Sequence, residues 1–298
     1  MQRTIITIAV LCSLVAGSTL AKPPSDSIQI PSHLKRALLR DPMDPQAFDQ
    51  LLRDSASMGG LPALIQYLRQ QTTKKPKAFR LRIVLGHLIR HRTNCQDALM
   101  EYNTVLESQP KNPWANEAIG DCQSQLGAWK KAIKHWKAAV SERAISGGMA
   151  SIRWKILTTA VGHGAMDQAQ ESYDALLRSN PKNVRTGLRY AELLRQHRHF
   201  QEAASVLKPW LEKSRNDPKM HVTVLLDWSH LLAKTNQFEN AMKRIRKTLR
   251  ILPREHWVRL ELYEGLLTLF RNEGRLAQLA REIQTWSKTL PNQLLLAQ

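Results

Sequence analysis

Acidic residues, cysteines and long apolar runs are all scarce in this sequence, and each shortage narrows what the chain can be. Asp and Glu number 25 against 44 Lys and Arg, giving a formal net charge of +19. Such a balance favours contact with polyanions. There are three cysteines, Cys12, Cys95 and Cys122, and none carries a local catalytic signature. Beyond the first twenty or so residues no unbroken apolar run is long enough to cross a bilayer, which takes ~20 residues. A Gly-rich phosphate loop, a nucleophile elbow and a convincingly placed pair of acids are also missing, so no local motif assigns an enzyme. What the chain does have is length and apolar content: 298 residues at 43% hydrophobic can bury a substantial core, which argues against disorder.

The segment MQRTIITIAVLCSLVAGSTLAKPPS carries Arg3, then an apolar stretch from Ile5 to Gly17, then Thr19-Leu20-Ala21. This pattern predicts a secretory signal peptide over residues 1–21, cleaved after Ala21. Its apolar core, roughly 13 residues, falls short of a span. Leu11 precedes Cys12 where a lipoprotein would need a small residue. The expectation is an exported, periplasmic protein, soluble after cleavage, with no nucleic-acid partner. Residues 22–43 are expected to form a leader, flexible through Pro31, with Leu34 to Arg40 as a helical cap.

The body of the chain repeats. Leu85, Gly86, Ala98, Tyr102 and Val105 recur as Ile119, Gly120, Ala132, Trp136 and Ala139, each 34 residues on. Ala169, Ala203, Ala241 and Leu279 continue the series at intervals of 37, 34, 38 and 38. In NCQDALMEYNTVLESQP, residues Ala98, Tyr102, Val105 and Leu106 share one helical face, Asn94 or Asp97 suits the helix start, and Pro110 ends it. Pro181, Pro253 and Pro291 are similar stops. About seven units fit between residues 44 and 291, leaving a tail at 292–298 that can cover the last unit.

This pattern resembles the tetratricopeptide repeat: a 34-residue helix pair with Leu-Gly in the first helix, a small residue early in the second, an aromatic four residues later and a closing proline. Later units depart from it, with Leu157 or Ser229 at the glycine position. The resemblance implies an all-α, right-handed α-solenoid of stacked helix-turn-helix units. It also implies recognition of partner proteins along a concave groove lined by first helices. In that frame Arg80, His87, Arg90, His91, Trp114, Lys155, Arg185, Arg189 and Arg195 face the groove and would favour acidic segments, whereas Lys130, Lys134, Lys137, Arg246, Lys247 and Arg250 lie on an outer, solvated basic face. Glu117 and Asp121 sit where a carboxylate clamp would want neutral or basic groups. Cys95 and Cys122 come to the same side of neighbouring units, either bridged or as two buried thiols.

Two motifs invite other chemistry. His87 and His91 in HLIRH have a metal-ligand spacing, but Leu88 replaces the glutamate that zincins need, so groove-facing polar residues are the reading adopted. His197 to Phe200, HRHF, falls in a solvated turn. No metal or cofactor is called for. The expected function is a non-enzymatic scaffold or adaptor of the bacterial cell envelope. The alternative is binding of acidic polysaccharide or anionic envelope lipid, with Trp stacking on sugars.

Overall fold

The computed structural model describes residues 28–142, 148–252 and 257–289. The signal peptide at 1–21, the first part of the leader, the stops at Pro253 and Pro291 and the tail at 292–298 lie outside the described residues. Within them every regular element is helical, and the chain divides into two compact units, residues 1–127 and 128–298.

The first unit contains α1 (Ser32–Arg40), α2 (Pro45–Asp54), a 3-10 turn (Ser55–Met58), α3 (Gly60–Lys74), α4 (Phe79–Arg92), α5 (Cys95–Ser108) and α6 (Pro113–Gln125). Its helix starts are written in the sequence. Asp44 accepts hydrogen bonds from the amides of Gln46 and Ala47, Asn94 from Asp97 and Asn112 from Ala115, with proline at the first helical position after Asp44 and Asn112. Each cap satisfies amides that the helix itself leaves without a partner. The helix expected at Leu34–Arg40 is α1, with Leu34 and Leu38 buried. Ile28, within the stretch expected to be flexible as far as Pro31, is buried in the core of this unit.

The second unit contains α7 (Trp129–Glu142), α8 (Gly148–Gly162), α9 (Met166–Ser179), α10 (Val184–Gln196), α11 (Phe200–Lys213), α12 (Pro218–Lys234), α13 (Phe238–Ile251), α14 (Val258–Asn272) and α15 (Leu276–Thr289). From α8 onward these form four antiparallel pairs, and first helices also pack on one another, α8 on α10 and α12 on α14. The 38-residue intervals are taken up by longer first helices, α12 having 17 residues where α10 has 13.

The recurrent small residue is what lets each second helix come close. Ala98, Ala132, Ala169, Ala203 and Ala241 are all fully buried. The residue four further on, Tyr102, Trp136, Tyr173, Leu207 or Ile245, fills the space beside it and is buried as well. In the first unit the approach is tight enough that a Cβ on Gly86 would stand 2.3 Å from the Tyr102 ring. Larger side chains at such a crossing force neighbours off their rotamers.

A second device repeats at the turns. Gly164, Arg198, Asn236 and Gly274 all have positive φ, and the amide after each donates five residues back, as in Ala165 to the Ala160 carbonyl and His199 to the Leu194 carbonyl. This is the Schellman closure of a helix C-terminus, a conformation glycine adopts without steric cost. Arg198, within the turn expected at HRHF, adopts it at φ 65° with a Cβ present.

Cys95 begins α5 and Cys122 lies in the last turn of α6. The structure joins them by a disulfide with the Cα atoms 5.1 Å apart, closing a loop with a sequence separation of 27. A loop of that size is worth about 3 to 4 kcal/mol in the chain-entropy picture.

Arg198→Gly should raise stability by roughly 0.5 to 1 kcal/mol by relieving the left-handed backbone. Urea unfolding measures this, and a destabilised variant would contradict the turn geometry. A second expectation concerns His221, which is buried with Nδ1 3.2 Å from the Ser214 hydroxyl. Burial, reinforced by Arg244 and Arg215, holds its pKa below the ordinary value. The unfolded chain therefore binds this proton more readily than the folded one. The stabilisation is complete above about pH 6.5 and is lost as pH falls through the folded value. Melting temperature should drop between about pH 7.5 and 5.5 in the wild type and drop less in His221→Gln; equal slopes would contradict it.

Candidate functional site

The residues expected in one groove fall into two groups. The first group, on α4 and α6, is largely taken up by structure. His87 is buried: Nδ1 and the Tyr102 hydroxyl share a 2.8 Å hydrogen bond, Nε2 lies 3.1 Å from Met43 Sδ, and Phe48 meets the ring edge-on. It is therefore not a groove residue, contrary to the sequence expectation. The partner bond satisfies a tyrosine hydroxyl that burial pushes far above its usual pKa. His91, one turn on, is exposed, so the two histidines do not converge.

Arg80 and Trp114 do meet, 34 residues apart in sequence. The guanidinium lies 4.8 Å above the indole ring and donates to the Leu39 carbonyl at 2.6 Å, while the indole N–H donates to Asp41 at 3.0 Å. Both contacts run to α1 and the residue after it. This pair acts first as a clasp for the N-terminal helix, with a cleft of about 370 Å³ between Leu39, Lys77, Arg80 and Trp114. Arg90 is half-buried, and its Nη1 lies inside without a hydrogen-bond partner.

The second group lies on α8 and α10, successive first helices of the second unit. Arg189 stacks over Trp154 at 4.0 Å, a close cation–π contact that fixes a long side chain on the surface. Lys155 is beside Trp154 on α8 and is half-buried, and Arg185 is exposed one turn before Arg189. No hydrogen bond or ion pair holds Arg185 among the described residues. Arg195 differs from the expectation of a free groove cation: it makes a bidentate pair with Glu192, both contacts 2.6 Å. That bond depresses the Glu192 carboxyl and raises the guanidinium further.

A cleft of about 390 Å³ opens next to this pair, lined on α10 by Leu188 and Arg195 and on α12 by Asp227, His230 and Lys234. Asp227 has its pKa raised by desolvation and by Glu192, with Arg195 opposing. His230 is lowered by burial, against the pull of Glu273. Lys234 in turn bonds Glu273 at 3.2 Å. This face is thus mixed in charge from Glu192 onward and basic only along α8 and the first half of α10. The sequence reading missed Asp227 and His230, although both recur at the α10 positions of Arg189 and Glu192 with the 38-residue interval. Among the described residues no group of three His, Cys, Asp or Glu is placed to hold a metal, and no helix is long and apolar enough to cross a membrane.

The sequence profile of the family described as tetratricopeptide repeat matches residues 160–224, the end of α8 through the start of α12. Those residues carry tetratricopeptide repeats. Its fold is similar to that in the structure of Naa15/Naa10 bound to HypK-THB, at TM-score 0.54 and 14% identity over 86% of this chain. The chain spans only 37% of that neighbour's length. A tetratricopeptide-repeat protein from Parabacteroides merdae aligns with 83% of this chain and 95% of its own at 18% identity and TM-score 0.44. YrrB, described as a tetratricopeptide-repeat protein with an unusual peptide-binding site, aligns with 66% of this chain and 97% of its own at 16% identity and TM-score 0.43. No curated protein matches the sequence.

Arg80→Ala should release α1 while leaving the repeats intact. Hydrogen exchange over residues 32–40 should speed up by about tenfold or more, the loss of one charge-assisted hydrogen bond and a stacking contact, with exchange in α8 to α13 unchanged. Unchanged protection of α1 would show that the clasp holds nothing.

Proposed function

We propose that this chain is a tetratricopeptide-repeat protein throughout and a non-enzymatic scaffold or adaptor of the bacterial cell envelope. It binds a partner protein along the first-helix face of its second unit. The observation that carries the reading is the Trp154–Arg189 stack with exposed Arg185 beside it: an aromatic surface and two cations on successive first helices. An acidic segment of a partner is the complement to that patch. The indole supplies apolar area, and the guanidinium groups supply forked donors that match carboxylates. Stacked helical repeats offer long recognition surfaces of this kind.

Export rests on the N-terminal pattern at 1–21, and a periplasmic location follows from it as part of the same proposal. A fusion of residues 1–30 to a reporter active only outside the cytoplasm tests that step on its own.

The rival reading, acidic polysaccharide or anionic lipid, is favoured by the net charge of +19. Salt separates the two, since binding by exposed charges alone weakens steeply as they are screened. Crosslinked capture from intact envelopes should recover a protein partner with the wild type and lose it, at least tenfold, with Arg185→Glu plus Arg189→Glu, reversing two forked contacts. Identical recovery with both would contradict this assignment of the face. Steep salt loss with no protein recovered would favour the rival.

A further inference from the structure

The second-helix face of the second unit is tied together by charge at three of its four crossings. Lys137 on α7 bonds Glu171 on α9 at 2.5 Å, Arg244 on α13 bonds Glu212 on α11, and Arg246 on α13 bonds Glu282 on α15. Between α9 and α11 no such pair occurs among the described residues. A cleft of about 590 Å³ lies there instead.

Its floor is aromatic. Tyr173, Tyr190 and Trp210 line it, the two tyrosine rings 4.6 Å apart and the indole N–H donating to the Tyr173 hydroxyl at 3.0 Å. Gly187 makes this floor possible, because a Cβ there would lie 2.1 Å from the Trp210 ring nitrogen. Leu177, Val206 and Pro209 add apolar wall.

The rim is acidic from both sides: Asp167 and Asp174 on α9 and Glu202 on α11. Asp174 accepts from Gln170 at 2.8 Å and Glu202 lies 3.9 Å from His199, and neither has an ion pair with Lys or Arg among the described residues. On a chain of net charge +19 this is an inverted patch.

Two further acceptors open on the same space. Tyr190 is 2% exposed, lines the cleft, and its hydroxyl has no hydrogen-bond partner among the described residues. Pro209, inside α11, has no N–H for the Ser205 carbonyl four residues earlier, and both residues line the cleft. Lys213, which also lines the cleft, sits over the Trp210 ring at 4.5 Å. A protein cation already occupies one end of the floor.

Acidic rim, spare acceptors and an aromatic floor together ask for a group with many donors, a positive charge and an apolar stem. Guanidinium on its three-methylene chain has all three. We propose that the α9–α11 cleft is a second docking site, for an arginine-bearing segment of a partner protein. It is distinct from the α8–α10 face and opposite to it in charge preference. A scaffold with both could hold an acidic and a basic segment at once.

Fluorescence anisotropy on the full chain tests this with a labelled octapeptide of alternating arginine and alanine, against the same peptide with citrulline in place of arginine. The arginine peptide should bind and the citrulline peptide should bind at least about tenfold more weakly, having the stem but no charge. Asp174→Asn plus Glu202→Gln should weaken the arginine peptide by about tenfold or more. Tyr190→Phe should weaken it roughly threefold, one neutral hydrogen bond. Lys213→Gln should tighten it by removing the internal competitor, a gain that no damaged fold would produce. Arg185→Glu should leave it unchanged. Equal binding of the citrulline peptide, no effect of the acid substitutions, or no binding to the wild type would each overturn the proposal. So would self-association of the chain abolished by the same acid substitutions, which would make the occupant a second copy.

Discussion

Everything in this molecule depends on how closely two helices of a pair can cross. Five alanines, from Ala98 to Ala241, stand at equivalent places in successive second helices and have no exposed surface. A small side chain there brings the backbones together, and the residue four positions later then reaches the partner helix and seals the space beside it. A lone pair of helices buries only one side of each, so the pairs must stack, and stacking leaves each first helix with one outward stripe and each second helix with another. Those stripes are where the chain can recognise something else.

The two stripes of the second unit are finished differently. On the second helices, ion pairs bridge α7 to α9, α11 to α13 and α13 to α15, so Lys137, Arg244 and Arg246 have acidic partners and contribute little net attraction. The omission at α9–α11 leaves acidic residues facing a gap. On the first helices, Arg189 is held by an indole rather than by a carboxylate, which fixes its position while leaving its charge uncompensated. The overall excess of positive charge thus conceals a surface with both signs in specific places.

Much of the fold was legible because the repeat writes the same physics several times. Alanine spacing, capping Asp and Asn, and closing prolines each point to one hairpin, and their agreement carries the assignment. His87 was misplaced because a two-histidine spacing locates a helical face but not its burial. In α4 the seven residues from Ile83 to Ile89 are all buried, so that helix has no wet side along its centre. Arg195 could have been recognised as a compensated charge from Glu192 three residues earlier, a spacing that favours pairing on one helix. The Arg80–Trp114 clasp needed the position of Asp41, far away in sequence. The acidic cleft was not legible at all: it arises from a missing bridge between two helices and from a proline inside one of them, and only the packing puts those together.

The central claim is that recognition of a partner occurs on the first helices of the second unit. Hydrogen-exchange footprinting of the full chain, with and without a captured protein partner, tests it most directly. Protection on binding should be concentrated in α8 and α10, over residues 151–155 and 185–189, with the α4–α5 pair unaffected. Protection confined to other helices, with α8 and α10 exchanging as in the free chain, would contradict the account.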